Sequence, residues 1–345
     1  MSVLVQNIRD RLRANANVVV IVTAAVILLL MLAGLMLYLR SMMEDELERY
    51  SEHELTMKAM VIHGVLNQTE QSLWDFECRC REFSEATSET TVYEMLQDMT
   101  VANPHIIGCE IGFVPNYFPK QGSLFEPYVM ETEDSVAWLQ VGGEEHDYTA
   151  MNFYKKAIER DDIYWADPYY GGDGTHRLIT TCSMPVHDRD GELMGVLGAD
   201  VLLDWVSDTL NVRHSYPSSF NLLLTEEGQV ISQPVNDSDK KRDVAKVIAL
   251  LNDSTTLRRR SDSGRSDVIE FHDDRMGADG TIFVSYMKGY PHWQIVVVCY
   301  DYEVYGQLDH LGMVMVFLLL LTFAFLLLMI NLVARNERRL QEAKT

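Results

Sequence analysis

Two uncharged apolar runs, Val18 to Leu39 and Leu311 to Ala334, lie near the two ends of the chain. They hold 22 and 24 residues, and at about 1.5 Å of rise per helical residue each reaches the roughly 30 Å hydrocarbon thickness of a bilayer. The first run is followed by Arg40, Ser41, Met42 and Met43 rather than by a small-residue cleavage pattern, so it reads as a transmembrane helix and not as a signal peptide. From Glu44 to Phe83 there is no proline and one glycine, Gly64, while Met43, Leu47, Tyr50, Met57, Val61, Val65, Leu73 and Phe76 recur at helical spacing. This predicts a long helix that continues from the membrane. A second helix is predicted from Thr91 to Ala102, ending at Asn103 and Pro104.

Beyond Pro104 the period changes. Short β-type runs follow at Ile106–Val114, Ser135–Val141, Arg177–Val186 and Leu193–Leu202, with the hairpin turn Asp190-Gly191 between the last two and a short helix predicted over Phe153–Arg160. A smaller version of the same order comes next: strands at Phe220–Thr225 and Gln229–Ser232, a charged helix at Asp239–Leu251, then strands at Val268–Phe271, Thr281–Lys288 and Trp293–Tyr300. The expected fold class is α+β, with two stacked modules of antiparallel sheet on a long N-terminal helix. The last strand is expected to lead through Tyr305 into the second membrane helix. Gly171 to Gly174 read as loop, and Arg258, Arg259 and Arg260 as solvated surface in a Ser/Asp-rich loop.

Charge adds orientation. Arg9, Arg11 and Arg13 precede the first apolar run, and Arg335, Arg338, Arg339 and Lys344 follow the second, which predicts both termini on the cytoplasmic side. The organisation is then a cytoplasmic N-terminus (1–17), a transmembrane helix (18–39), an extracytoplasmic domain (40–310), a second transmembrane helix (311–334) and a cytoplasmic tail (335–345). The extracytoplasmic part divides into a long helical segment (40–103), a membrane-distal module (104–210) and a membrane-proximal module (211–310). A net charge of −22 at pH 7 repels phosphate and excludes nucleic acid as a natural partner. Of the five cysteines, Cys109, Cys182 and Cys299 sit in apolar strands as small core residues, and Cys78 or Cys80 is available for a disulfide in an oxidising compartment. No zinc pattern, metalloprotease motif, nucleophile elbow or phosphate loop occurs, so neither a catalytic constellation nor a cofactor is expected. His187-Asp188 and His272-Asp273-Asp274 read as solvated turns rather than as metal ligands.

The stretch from Asp147 to Val206 resembles the membrane-distal module of the double Cache sensor family, whose modules are PAS-like. The resemblance rests on Phe153-Tyr154 opening a short helix, Trp165-Ala166-Asp167-Pro168-Tyr169 as a turn, Met184-Pro185-Val186 ending a strand, Asp190-Gly191, and Gly198-Ala199-Asp200 in the following strand. The order of elements resembles the family over nearly the whole chain. The resemblance implies a signal receptor of the bacterial cytoplasmic (inner) membrane, as in histidine kinases, serine phosphatases and chemoreceptors. It also implies a periplasmic small-molecule ligand, a homodimer formed through the helix from Glu44, and a cytoplasmic output module. Glu54 and Gln68 interrupt the apolar stripe expected of that dimer. The tail from Arg335 reads as the first turns of a signalling helix that continues into an output domain, the alternative being a stand-alone sensor with a separate partner.

The candidate ligand-binding residues are Trp138, Tyr148, Met151, Phe153, Tyr154, Tyr169 and Asp200, with the aromatics forming π-rich walls. The resemblance places Met151 where amino-acid-binding members have an arginine for the ligand carboxylate, and Asp200 where they hold its ammonium group. Loss of the guanidinium fork turns the expectation from free amino acids toward an amine or other cation. Asp200 can alternatively cap the helix expected over Leu202–Leu210, and Trp165 is read as core. The competing functional reading is a membrane-anchored protein-interaction scaffold with no small-molecule ligand. An exposed apolar patch would favour the scaffold and an enclosed aromatic pocket the sensor.

Overall fold

The structure, a computed structural model, describes residues 2–342 apart from 84–86, 133, 172–176, 211–215, 234–237, 254–255, 262–263, 274–276 and 288–290. The Gly171–Gly174 segment and Asp274 therefore fall wholly or partly outside the described residues. With no proline and only Gly34 and Gly64 to loosen it, the chain up to Cys80 forms a single helix, α1 (Ser2–Cys80). The membrane run and the long helix of the sequence pattern are thus one element. At the other end β13 (Gln294–Tyr300) passes at once into α6 (Asp301–Glu342), so the connection expected to stay extended through Tyr305 is helical. Both helices contain stretches long and apolar enough to cross a membrane, with mean hydropathy 2.6 and 2.1, and their large side chains, Leu30 and Phe317 among them, are exposed.

By packing the chain divides into two units: residues 51–271 with 280–299, and the remainder, which holds the apolar stretches of α1 and α6. In the first unit α2 (Glu89–Ala102) starts at Ser88, whose Oγ accepts from the Thr91 N–H at 3.2 Å, and stops where Pro104 forces Asn103 into an extended conformation. Seven antiparallel strands then form a sheet in the order β3-β2-β1-β7-β6-β4, with β5 also on β6. They are β1 (Ile106–Phe113), β2 (Pro127–Glu131), β3 (Val136–Gln140), β4 (Tyr164–Trp165), β5 (Tyr169–Tyr170), β6 (Leu178–His187) and β7 (Leu193–Leu202). β2 has no counterpart in the sequence reading, since a proline and two acids hide a short strand. Helix α3 (Asn152–Arg160) matches the predicted short helix, and α4 (Asp204–Leu210) begins two residues later than expected because β7 runs on through Leu202.

The second sheet has the order β10-β11-β12-β13-β8-β9. Its remaining strands are β8 (Phe220–Leu224), β9 (Val230–Ser232), β10 (Arg259–Arg260), β11 (Asp267–Asp273) and β12 (Ala278–Tyr286), with α5 (Ser238–Asn252) between β9 and β10. The arginine cluster is exposed as expected, but Arg259 and Arg260 form an edge strand rather than loop, and Arg260 pairs with Asp267 at 2.8 Å. His272 and Asp273 lie in β11 rather than in a turn, and the His272 ring meets Asp279 at 2.6 Å. His187 ends β6, with Asp188 in the turn after it. All five cysteines are unbonded: Cys80, Cys109, Cys182 and Cys299 are buried and Cys78 is exposed.

Alternation in the first sheet separates two faces. Cys109, Ile111, Phe113, Val129, Cys182, Val186 and Ala199 are fully buried on one. The other carries glycine at three positions of the central strands, Gly108, Gly112 and Gly198. Between them the strands approach closely: a Cβ on Gly195 would stand 2.4 Å from the Gly112 carbonyl oxygen and 2.8 Å from the Phe113 Cα. Backbone cannot yield as a flexible side chain does, so Gly195→Ala is expected to cost about 1–3 kcal/mol or more, read as a lowered melting temperature.

Candidate ligand-binding site

The glycine-rich face is the candidate site. Register places Glu110 opposite Gly198 on one side and Tyr128 on the other, and places Asp200 opposite Gly108 and Thr181. Added Cβ atoms show what the glycines make room for: at Gly108 one would lie 2.2 Å from the Tyr128 hydroxyl, at Gly112 2.7 Å from the Tyr148 ring, and at Gly198 2.7 Å from Glu110 Oε1. The sheet is thinned so that a phenol, a second aromatic ring and a carboxylate lie across it.

Asp200 is the hub of this face. It is 8% exposed and accepts from the Thr181 hydroxyl at 2.6 Å, the Tyr128 hydroxyl at 3.0 Å and the Tyr169 hydroxyl at 3.4 Å. The Trp165–Tyr169 turn delivers the last of these by hooking onto β6. The Ala166 N–H donates to the Thr181 carbonyl at 2.9 Å, and the Thr180 hydroxyl donates to the Ala166 carbonyl at 2.7 Å. Tyr169 then pairs with Ile179, its hydroxyl 2.8 Å from Thr181 Oγ1. Asp200 is therefore a strand residue held by three hydroxyls and not the cap of the next helix. Burial, and then the Asp200 charge, push the Tyr128 and Tyr169 phenols upward, so both stay protonated donors.

Two further carboxyls share the face. Glu110 lies in a central strand yet keeps accessible surface. Burial first, then repulsion from Asp200 and Glu126, raise it well above the ordinary carboxylate range. Glu126, just before β2, is completely buried, and burial followed by the Asp200 charge pushes it up to about 8. Neither of its oxygens accepts a hydrogen bond, and the His146 Nε2 stands 3.4 Å from one of them. The positions that β1, β2, β6 and β7 present to this face include no lysine or arginine.

Residues 92–208 match the family model of the first PDC sensor domain of methyl-accepting chemotaxis protein-like proteins, and this span contains the whole glycine-floored sheet. Solved structures extend the likeness across both sheets. The extracellular domain of soHK1S-Z6, named as a candidate histidine kinase, matches at 22% identity and a TM-score of 0.55, over 77% of this chain and 98% of its own. Residues 92–208 thus resemble a first PDC sensor domain, and the two sheets together have the fold of these solved sensor domains. The ligand-binding domain of the Pseudomonas aeruginosa PAO1 amino-acid chemoreceptor PctC, solved with GABA, matches at 18% identity and a TM-score of 0.53, over 73% and 99% of the two chains. The periplasmic sensory domain of the Campylobacter jejuni chemoreceptor Tlp1 matches at 13% identity and a TM-score of 0.55, over 73% and 94%. Among curated proteins there is no match to the sequence.

Within this fold the residues singled out from sequence separate into groups. Asp200 and Tyr169 come together. Tyr148, Tyr154 and Val196 pack as a small core with Phe153 against it, and the Tyr148 hydroxyl is spent on the Phe113 carbonyl at 2.5 Å. These rings form the covered end of the face, and Asp147 fixes their approach by accepting from the Thr149 N–H at 3.0 Å. Met151 is exposed at the N-cap of α3. Trp138 does not join them: its register partner is Val129, so it projects to the opposite face, where it stacks on Tyr93 of α2 at 5.1 Å and donates to Gln97 at 2.8 Å. Trp165 is core, donating to Glu70 of α1 at 2.8 Å. Sequence reading missed Glu110, Glu126, Tyr128 and Thr181. A glutamate between two glycines in an otherwise apolar strand was the visible signal for the first.

Proposed function

We propose that the chain is a membrane-bound signal receptor whose distal module binds an organic cation. The carrying observation is Asp200, buried under three hydroxyls on a face that also carries Glu110 and Glu126 and whose strand positions offer no lysine or arginine. A cation is the solute that such a field and such phenolic walls favour. PctC with GABA and the sensor domain of Mlp24 with asparagine hold ligands that bear an amino group, and this chain keeps an acid suited to that group while Met151 offers no fork for a carboxylate. In this reading the sensor domain is periplasmic, both termini are cytoplasmic, the domain itself performs no chemistry, and ligand-induced displacement of α1 carries the signal to an output module.

The test is thermal melting of the full chain in detergent against amines, amino acids, carboxylates and divalent ions. An amine present at a hundred times its Kd is expected to stabilise the protein by about 2.7 kcal/mol, and Asp200→Ala to abolish the shift. Silence across the panel, with both proteins folded, would transfer the reading to an interaction scaffold.

A homodimer belongs to the same proposal. On α1 the residues His53, Met57, Met60, Gly64, Asn67, Gln71, Trp74 and Cys78 are all exposed and recur at alternating steps of four and three. That is the spacing a coiled-coil seam uses, and Glu54 does not interrupt it because Glu54 turns inward. The sequence stripe mixed two faces: Leu47, Val65, Leu73 and Phe76 are buried, whereas Met57 and Val61 are exposed. Since Cys78 is the exposed cysteine of the five, mild oxidation is expected to give a covalent dimer on a non-reducing gel, lost in Cys78→Ser. A wild-type chain that stays monomeric on that gel would count against the seam.

A further inference from the structure

We propose that residues 141–151 form a proton-operated lid on the glycine-rich face, closed while the Glu126 carboxyl is protonated and lifted when it ionises. The inference concerns access to the face and does not rest on which solute the face holds.

The segment crosses the sheet on few attachments. At its start the Val141 N–H donates to the Glu126 carbonyl at 3.0 Å, and Gln140 Nε2 donates to the Gly142 carbonyl at 2.9 Å. Gly143 and His146 then exchange backbone hydrogen bonds of 3.1 Å, closing a small loop whose tip, Glu144 and Glu145, is exposed. Tyr148 is the one fully buried side chain of the segment. A Cβ on Gly112 would stand 2.7 Å from its ring and a Cβ on Gly142 2.8 Å, and its hydroxyl donates to the Phe113 carbonyl at 2.5 Å. The Met151 N–H, donating to the Tyr148 carbonyl at 2.9 Å, closes the segment at the N-cap of α3. A single ring therefore pins the lid, between a Gly142-Gly143 pair free to hinge and the start of a helix.

Beneath the lid Glu126 is completely buried, and neither of its carboxyl oxygens accepts a hydrogen bond. Protonated, the group is neutral and tolerated among aromatic rings. Ionised, it is a buried charge without donors, an arrangement that proteins avoid. The groups facing it add to the strain: β1 brings Glu110 and β7 Asp200, both acids, while Tyr128 of β2 and Tyr148 of the lid are phenols. Among these neighbours only His146 is able to carry an opposing charge, and its Nε2 stands 3.4 Å from Oε2 on a side chain 34% exposed, where water screens it. Withdrawing the Tyr148 ring admits water to the carboxylate without breaking a strand pairing. The closed lid holds Glu126 near a pKa of about 8, and water returns it toward 4.5. The closed state thus binds the proton more tightly, and the ratio of closed to open falls by on the order of a thousandfold as pH rises across that interval.

The experiment is hydrogen–deuterium exchange of the full chain in detergent, without ligand, from about pH 6 to about pH 9, with each rate divided by the intrinsic rate at that pH. It compares the wild type with Glu126→Gln, Glu126→Leu and His146→Gln. In the wild type the protection of the Gly143, His146 and Met151 amides is expected to fall by at least about tenfold over this range, while the amides of β6 and β7 keep theirs. Glu126→Gln, or Glu126→Leu where the glutamine protein does not fold, should hold the lid amides at one protection throughout, and His146→Gln should retain the wild-type fall. Constant protection in the wild type, or a fall that survives removal of the Glu126 carboxyl, would overturn the lid. So would a fall abolished by His146→Gln, which would place the titrating charge on the imidazole, and an equal fall in β6 and β7, which would make the opening global.

Discussion

Glu54→Ala is expected to lower the melting temperature by roughly 10 °C, following a loss of about 3–5 kcal/mol. The Glu54 Oε1 takes the Lys58 ammonium at 2.7 Å and the Asn221 amide at 2.9 Å, and both ionic side chains are 11% exposed. Lys58 also donates to the Leu210 carbonyl at 2.7 Å, and Asn221 to the same oxygen at 3.1 Å. One polar knot therefore ties α1 to the end of α4 and to the first strand of the second sheet. Burial lowers the Lys58 pKa from 10.5, and Glu54 is the group opposing that fall by hydrogen bond and charge. Its removal strands a buried cation and lowers that pKa further. For a base whose folded pKa is depressed, the unfolded chain binds more protons between the folded pKa and 10.5, so stability of the variant should recover as pH rises through that window. Glu54→Leu with Lys58→Met should restore most of the loss at neutral pH, since a pair replaced by apolar side chains leaves no orphan charge. A wild-type melting temperature for Glu54→Ala would show that water already solvates Lys58. In the proposed mechanism a displacement of α1 must either carry the Leu210 and Asn221 ends along or exchange these bonds for others.

What the sequence made legible was local. Long uninterrupted apolar runs specify α1 and α6, Asn103-Pro104 ends α2, and Asp190-Gly191 between two apolar strands specifies the β6–β7 hairpin. The Trp-x-x-Pro-Tyr turn and Asp200 marked one end of the site because both lie in a single stretch of about sixty residues. The other end was hidden because it depends on pairings distant in sequence. Glu110 faces Tyr128 and Asp200 only through the β1–β2 and β1–β7 registers. Shifting a register by one residue turns every side chain to the other face, and that choice decided Trp138, which an aromatic-box reading assigns to the pocket and the β2–β3 register assigns to α2. The inward turn of Glu54 was hidden for a related reason: along the helix it reads as a break in the apolar stripe, and its partner Asn221 lies in a strand distant in sequence.

In the absence of ligand, stability is expected to fall as pH rises from about 4.5 to about 8. The groups that decide this are Glu126, Glu110 from β1 and Asp200 from β7, with Tyr128, Tyr148, Tyr169 and His146 around them. Glu126 titrates near 8 in the folded chain against an ordinary value of 4.5. In that interval the folded protein holds a proton that the unfolded chain has released, so the native state binds more protons and stability drops with pH. The contribution is complete below the unfolded pKa and gone once pH has passed the folded one, a loss on the order of a few kcal/mol at about 1.4 kcal/mol per decade. Glu126→Gln should flatten the slope and be more stable than the wild type at the alkaline end. Wild-type stability that stays flat over the same interval would mean that Glu126 is already ionised in the folded chain.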